Sequence, residues 1–113
     1  MTKKQIEAVA KELDWTVEFS EHDGDKWVCF ENFSPAGQDL CIEFSYNILD
    51  EIPDEVKTRY ENYDPSTEAY YWLDSDGHGK NGAPYEMGDV YDDMVACQEM
   101  IDDLAIALYK KQN

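Results

Sequence analysis

Basic side chains are scarce in this sequence, in which 9 Lys and Arg residues stand against 26 Asp and Glu residues. The formal net charge is −17 at pH 7, whereas a magnitude of about 2–8 suits a small soluble domain. Nucleic acid and anionic membranes are excluded as direct partners, because the carboxylates would repel them. A basic protein surface is favoured as a partner, with a fast and salt-sensitive encounter. Between residues 12 and 109 the only bases are Lys26, Lys57, Arg59 and Lys80.

Cysteine and histidine are also few, with 3 and 2 residues respectively. No metal-ligand spacing such as C-x-x-C links them, so we predict neither a metal site nor a cofactor. Cys29 and Cys41 fall in predicted strands, where we expect small buried side chains. No apolar run approaches the length of a membrane span, and the N-terminus lacks the apolar region of a secretory signal. We therefore expect a cytoplasmic protein with reduced thiols.

Aromatic residues make up 13% of the chain and hydrophobic residues 42%, which argues against disorder despite the charge. A chain of 113 residues is long enough to bury roughly 65% of its unfolded surface without disulfides or metals. We predict a single folded domain over residues 1–113.

The longest helical pattern runs from Asp89 to Lys111. Its apolar side chains recur at spacings of three, four and seven, which predicts one buried stripe. The first turn is acidic and the last turn is basic, as the helix dipole favours. The stripe consists of Val90, Met94, Cys97, Ile101, Leu104 and Leu108.

The opposite side of this predicted helix carries only negative charge until its last turn. Three apolar side chains, Tyr91, Val95 and Ile106, lie beside these acids and outside the stripe. The simpler interpretation is that the three contact another part of the same chain, and the alternative is that they contact a partner. The acids are Asp89, Asp92, Asp93, Glu99, Asp102 and Asp103.

The first half of the chain predicts a helix followed by three antiparallel strands. Thr2 and Gln5 form a capping box, and the helix is expected to continue to Asp14. From Trp15 onward apolar and polar residues alternate with a period of two, as in half-buried strands, with a hairpin turn at Asp23-Gly24. One sheet face is expected to lie on helices, and the other to expose Glu18, Glu31 and Glu43. The strands span residues 15–20, 26–33 and 40–46.

The second half predicts only helices and one loop. Asp50 to Tyr63 is predicted as a helix that tolerates Pro53 in its first turn. Asp64 caps a short aromatic helix that begins at Pro65. The whole order predicts an α+β protein with an N-terminal helix, a three-stranded antiparallel β-meander, two short helices and a long C-terminal helix packed on the sheet.

The stretch from Asp74 to Gly88 is rich in glycine and is predicted to be a loop. Asp74, Asp76 and Gly79 match positions one, three and six of an EF-hand loop. Position twelve is Tyr85, where calcium needs a bidentate Glu, so a calcium-binding regulator is the weakest of our hypotheses. No Ser-His-Asp, Cys-His or P-loop arrangement stands out, so we predict no catalytic residue and no enzyme activity.

Parts of this sequence resemble a known group of proteins. The run from Trp72 to Tyr85 is the most specific, and the wider resemblance covers Phe33 to Asp39, Arg59 to Asp64 and Glu68 to Met94. The chain resembles a family of small acidic proteins carried by bacterial phages, plasmids and conjugative elements. The resemblance implies that this protein is carried by the same kinds of mobile element as antirestriction and anti-CRISPR proteins and is found in a bacterial host cell. It assigns no catalytic residue.

The charge and the resemblance together predict an acidic DNA mimic that inhibits a bacterial defence nuclease, either a CRISPR effector or a restriction enzyme. Its partner-binding carboxylates would be those of the terminal helix together with Asp50, Glu51, Asp54 and Glu55. The alternative is a non-catalytic interaction module of a mobile element, whose acidity serves solubility. In that case Tyr91, Val95 and Ile106 make the contact, with another protein or with a second copy in a homodimer.

Overall fold

The computed structural model describes residues 1–73 and 87–113. It confirms the predicted α+β class and the predicted order of elements. The loop predicted from Asp74 to Gly88 lies outside the described residues, except for its last two positions, 87 and 88. The elements are α1 (Lys3–Glu12), β1 (Thr16–His22), β2 (Asp25–Phe33), β3 (Asp39–Tyr46), a 3₁₀ turn (Leu49–Glu51), α2 (Ile52–Asn62), α3 (Pro65–Leu73) and α4 (Met87–Gln112).

The three strands form an antiparallel sheet in the order β1-β2-β3, so β2 is central. The β1–β2 connection is a two-residue turn in which Asp23 and Gly24 have φ values of 53° and 84°. Two successive positive φ values define a type I′ turn, which matches the twist of the flanking strands. The Asp-Gly pair therefore fixes the β1–β2 register, in which His22 pairs with Asp25.

The two faces of the sheet differ as the period of two predicts. Val28, Phe30 and Ile42 are at most 2% exposed and belong to one core that includes residues of every helix except the 3₁₀ turn. Glu18, Glu31 and Glu43 are exposed on the outer face, as predicted. The expectation of buried cysteines in the strands is wrong: Cys41 is exposed and Cys29 is partly exposed. Cys29 lies two residues from Glu31 on β2, and Cys41 lies two residues from Glu43 on β3. The cysteines share the outer face with these glutamates, because residues two apart on a strand share a face.

Helix α4 supplies one wall of the core. All six residues of the predicted apolar stripe are buried, and Leu104 and Leu108 are fully inaccessible. The helix begins at Met87, so Gly88, which was predicted to end a loop, lies in its first turn. The acidic first turn and the basic last turn are both present, with Asp89 at one end and Lys110 and Lys111 at the other.

The segment predicted as one helix from Asp50 to Tyr63 is divided into the 3₁₀ turn and α2. The Ile48 N–H donates to Glu51 Oε1 at 3.3 Å, which caps the 3₁₀ turn, and Pro53 occupies the first turn of α2. In α2, the Arg59 guanidinium donates to the Glu43 carbonyl of β3 at 2.6 Å. The predicted cap of α3 is confirmed, since the Ser66 N–H donates to Asp64 Oδ1 at 3.0 Å.

Candidate functional site on helix α4

Four exposed carboxylates follow the outer side of α4, and we call Asp89, Asp92, Glu99 and Asp103 the acidic row. Asp92 and Asp103 are eleven residues apart, which corresponds to roughly 16 Å along the helix axis. Within residues 1–73 and 87–113, none of the four carboxylates accepts a hydrogen bond or forms an ion pair. Among the described residues, nothing compensates the charge that the row presents to solvent.

Asp93 was predicted to belong to this row, and that prediction is wrong. Its side chain is 7% exposed, and Oδ1 accepts a hydrogen bond of 3.0 Å from the N–H of Ala36. The cause is the helical period, because each residue turns the helix by about 100° and brings Asp93 to the edge of the apolar stripe. Asp93 thus holds the β2–β3 connection against α4 and is unavailable to a partner.

Asp102 is likewise engaged within the protein. Its Oδ1 lies 3.5 Å from the Nζ of Lys57 in a partly buried ion pair between α4 and α2. The same ammonium lies 4.6 Å from the centroid of the Tyr60 ring. Asp102 therefore contributes to helix packing more than to the exposed charge.

The predicted binding acids near the start of α2 are mostly used for intramolecular contacts. Asp50 Oδ1 lies 2.6 Å from the Met1 amine, and the Glu51 carboxylate caps the 3₁₀ turn. Asp54 Oδ1 accepts a hydrogen bond of 2.5 Å from the Tyr109 hydroxyl of α4, and this bond is the largest cause that raises the pKa of Tyr109 to about 12. Among these four acids only Glu55 has no side-chain partner within the described residues.

Three apolar side chains lie beside the acidic row, and we call Tyr91, Val95 and Ile106 the apolar flank. Tyr91 and Ile106 are 41% and 43% exposed, while Val95 is partly buried. Tyr91 and Ile106 therefore keep apolar surface available to a partner although each is more than half covered, and both interpretations of the flank stay predictions. Val95 follows Asp92 by three residues and Ile106 follows Asp103 by three, so row and flank are adjacent on the helix surface.

The cations of the described chain do little to neutralise this charge. Its only ion pairs are those of Asp50 with the Met1 amine and of Asp102 with Lys57. Arg59 binds a main-chain carbonyl, and Lys3 lies 5.3 Å from the centroid of the Phe19 ring. Most carboxylates of residues 1–73 and 87–113 therefore have no cationic partner there, and self-repulsion should oppose folding.

We expect the melting temperature to rise when sodium chloride goes from low to physiological concentration, where the Debye length falls to about 8 Å. A gain of about 1 kcal/mol would raise it by about 4 °C in a domain of this size. Choline chloride at equal ionic strength is the control, because screening depends on ionic strength rather than on the cation. A melting temperature that stays constant or falls, measured by circular dichroism, would contradict the uncompensated charge.

A small polar cluster is partly buried between α4 and Tyr63, the residue that follows α2. The Tyr63 hydroxyl donates to the Sδ of Met94 at 3.3 Å, and burial is the main cause that raises the pKa of Tyr63. Burial, followed by the charge of Asp93, raises the pKa of the Cys97 thiol from 9.0 to about 12. Cys97 therefore stays protonated at neutral pH and is a poor nucleophile.

This cluster predicts a loss of stability in alkaline solution. A pKa that is higher in the folded state than in the unfolded state stabilises the fold only while the group is protonated. For Cys97 this stabilisation is complete below pH 9.0 and disappears as the pH rises toward about 12. The urea midpoint should fall across that window, and less steeply in Cys97→Ala, which lacks the titrating thiol. Equal slopes for both proteins would contradict the role of Cys97.

The structure also brings together three residues whose spacing in the sequence does not indicate a site. Cys29, Glu31 and Cys41 lie together on the outer face of the sheet, with one potential ligand atom from each within 4.8 Å of the others. The signal was present in the sequence as C-x-E on one strand and a cysteine on the next. It needed the hairpin register to become visible, because residues distant in sequence meet across strands.

The fold and its surfaces define a small acidic α+β protein whose terminal helix displays exposed apolar side chains and carboxylates that have no ion-pair partner in the described part of the chain. Comparison of the chain with protein-family models, with curated proteins and with solved structures finds no match. Among the helices of the described residues, none combines the length and apolar composition needed to cross a bilayer.

Proposed function

We propose that this protein is an acidic nucleic-acid mimic, which inhibits a bacterial defence nuclease by occupying its nucleic-acid-binding groove. The observation that supports this function best is the acidic row, which is exposed, unpaired within the described residues and carried on a helix that packs against the core. A helix packed in this way loses little conformational entropy on binding, so its charges are already arranged for a partner.

The proposed mechanism is electrostatic and steric. Glu99 and Asp103 are one helical turn apart, which places their Cβ atoms roughly 5–6 Å from each other. Lys and Arg side chains that normally neutralise successive phosphates would meet these carboxylates instead, and the helix would fill the groove. No bond is made or broken, so inhibition is reversible and weakens as salt increases.

The proposed target class is a CRISPR effector nuclease or a restriction enzyme. The support is the resemblance of the sequence to small acidic proteins of bacterial phages and mobile elements, together with the net charge of −17. The proposal assigns the protein no catalytic step and places it in the bacterial cytoplasm with its target.

A second candidate function is a non-catalytic interaction module that contacts its partner through the apolar flank. The exposure of Tyr91 and Ile106 favours it, because a partner can bury these apolar side chains. Such apolar contacts persist at high salt, whereas contacts between charges do not. The partner would be another protein or a second copy of the chain. The two functions differ in which half of the α4 surface carries the binding energy.

A competition experiment tests the proposed function directly. The protein is first used to capture partners from a bacterial host lysate, with and without nuclease digestion, and each nucleic-acid-binding partner is then purified. The DNA or RNA that the partner binds should displace this protein from the partner when it is added. This protein should likewise displace the DNA or RNA. A partner that holds its nucleic acid and this protein together, with undiminished affinity for each, would rule out the mimic.

A further inference from the structure

Two thiols and a carboxylate converge on the outer face of the sheet, on the side away from the helices. The Sγ atoms of Cys29 and Cys41 are 3.1 Å apart, and the Cys29 thiol donates to Glu31 Oε1 at 3.6 Å. Register explains the cluster, because Cys41 pairs directly with Glu31, and Cys29 is two residues away on the same face. Cys41 is exposed and Cys29 partly exposed, so an ion in solution can reach the sulfurs.

We propose that Cys29, Glu31 and Cys41 form a binding site for a thiophilic divalent cation, of which Zn²⁺ is the expected one. Two thiolates and a carboxylate are a ligand set that zinc accepts, whereas calcium and magnesium prefer oxygen alone. Zn–S bonds of about 2.3 Å in tetrahedral geometry hold two sulfurs about 3.8 Å apart. The sulfurs therefore need to separate by only about 0.7 Å, which side-chain rotation supplies. The fourth position faces solvent and suits a water molecule or a ligand from a partner.

The charge around the cluster favours a cation only weakly, because the neighbouring carboxylates are exposed to solvent. Glu18 and Glu43 pair with Cys29 from the two neighbouring strands, and both are exposed on the same face. The ligand atoms of Cys29, Glu31 and Cys41 lie within 4.8 Å of one another, so their negatively charged forms would repel each other. A bound divalent cation removes that repulsion by placing positive charge between the ligands.

The binding step is an exchange of protons for a metal ion. Two thiols lose two protons to solvent, two S–Zn bonds and one O–Zn bond form, and zinc remains in its +2 state. A disulfide between the same sulfurs would need an oxidant, and diagonal positions on paired strands have Cα atoms roughly 7–8 Å apart, at the limit of what a disulfide spans. A disulfide would also leave the convergent Glu31 carboxylate without a role.

The test is a titration of the phosphine-reduced, desalted protein with Co²⁺, followed by displacement with Zn²⁺. We expect one equivalent to bind, with the near-ultraviolet charge-transfer absorption of a cobalt–thiolate bond. Cys41→Ser should lose this absorption and at least tenfold in zinc affinity, and Glu31→Gln should weaken zinc binding about tenfold. Cys97→Ala and Glu18→Gln are the matched controls, which remove the third thiol and a neighbouring carboxylate and should bind within about twofold of the unsubstituted protein.

Protection from alkylation provides a second readout. Bound zinc should slow the reaction of iodoacetamide with Cys29 and Cys41 at least tenfold, and circular dichroism checks that each variant is folded. The proposal is overturned if the reduced protein takes up no cobalt or zinc. It is also overturned if Cys41→Ser keeps the absorption, or if Glu31→Gln and Glu18→Gln bind zinc equally well. Formation of a Cys29–Cys41 disulfide in air, without metal uptake by the reduced protein, would identify a redox pair instead.

Discussion

Replacing Asp92, Glu99 and Asp103 together by Asn, Gln and Asn is expected to weaken binding to a basic nucleic-acid-binding partner about a hundredfold at low salt. Each carboxylate should contribute about 1 kcal/mol to the complex, and three such contacts amount to about two decades in Kd. The substitutions keep size and polarity and lie on an exposed surface. The fold should therefore persist, and thermal stability should rise because self-repulsion falls. Calorimetric titration over a range of salt concentrations measures both Kd and its salt dependence, which should flatten.

Asp93→Asn is the matched control for this experiment. It removes the same charge from the neighbouring position, but on the buried side of α4, where the amide oxygen can still accept from the Ala36 N–H. We expect its affinity for the partner to stay within about threefold of the original, since charges screened by distance contribute little. Equal losses for Asp93→Asn and Asp92→Asn would mean that net charge acts without a defined row. Loss of binding at every salt concentration in Tyr91→Ala with Ile106→Ala would instead favour the interaction module.

Leu104→Ala should lower the free energy of unfolding by about 2–5 kcal/mol, because it opens a cavity in the core. Leu104 is completely inaccessible on the α4 stripe and belongs to the core cluster that also includes Val28, Phe30 and Ile42. A loss of this size is a large part of the total stability of a domain, which is about 5–15 kcal/mol. Urea unfolding followed by circular dichroism gives the value. A variant that is already partly unfolded at room temperature without urea would also agree with this prediction.

Ile106→Ala is the control for this substitution. Ile106 lies two residues further along the same helix and is 43% exposed, so truncation leaves no closed cavity and should cost less than about 1 kcal/mol. A similar loss at both positions would mean that the outer side of α4 is covered by another surface. That result would contradict the exposure on which both proposed functions depend.

The elements that sequence analysis predicted correctly are those with a strict period. The α4 stripe repeats over five turns, and the alternation in β3 from Leu40 to Tyr46 leaves one assignment of faces. In both cases burial of the apolar residues stabilises the fold only if they all lie on one face. The pattern therefore determines which face of the helix or strand is turned toward the core. The turn at Asp23-Gly24 was predictable because few residue pairs adopt two positive φ values.

The predictions for the candidate site failed at residues for which tertiary contacts decide whether a side chain is exposed or engaged within the protein. Asp93 was grouped with Asp92 by chemistry, although the helical period puts it beside Cys97, and its acceptor role depends on Ala36, which is 57 residues away. Asp54 likewise pairs with Tyr109, 55 residues away. Such contacts leave no local signal, because a carboxylate looks the same in sequence whether its partner is water or a distant hydroxyl. The dithiol cluster was missed for the same reason.

The hydrogen bond from Arg59 to the Glu43 carbonyl has a consequence for association between copies of the chain. β3 is an edge strand, and edge strands offer unpaired main-chain groups to any extended segment that approaches. Arg59 occupies one of these acceptors, and the exposed Glu43 repels an equally acidic neighbour. Concentrated salt screens the repulsion between copies, while the hydrogen bond of the guanidinium remains in place. The edge strand then loses one of these two protections, so storage in concentrated salt favours strand addition between molecules and gradual precipitation.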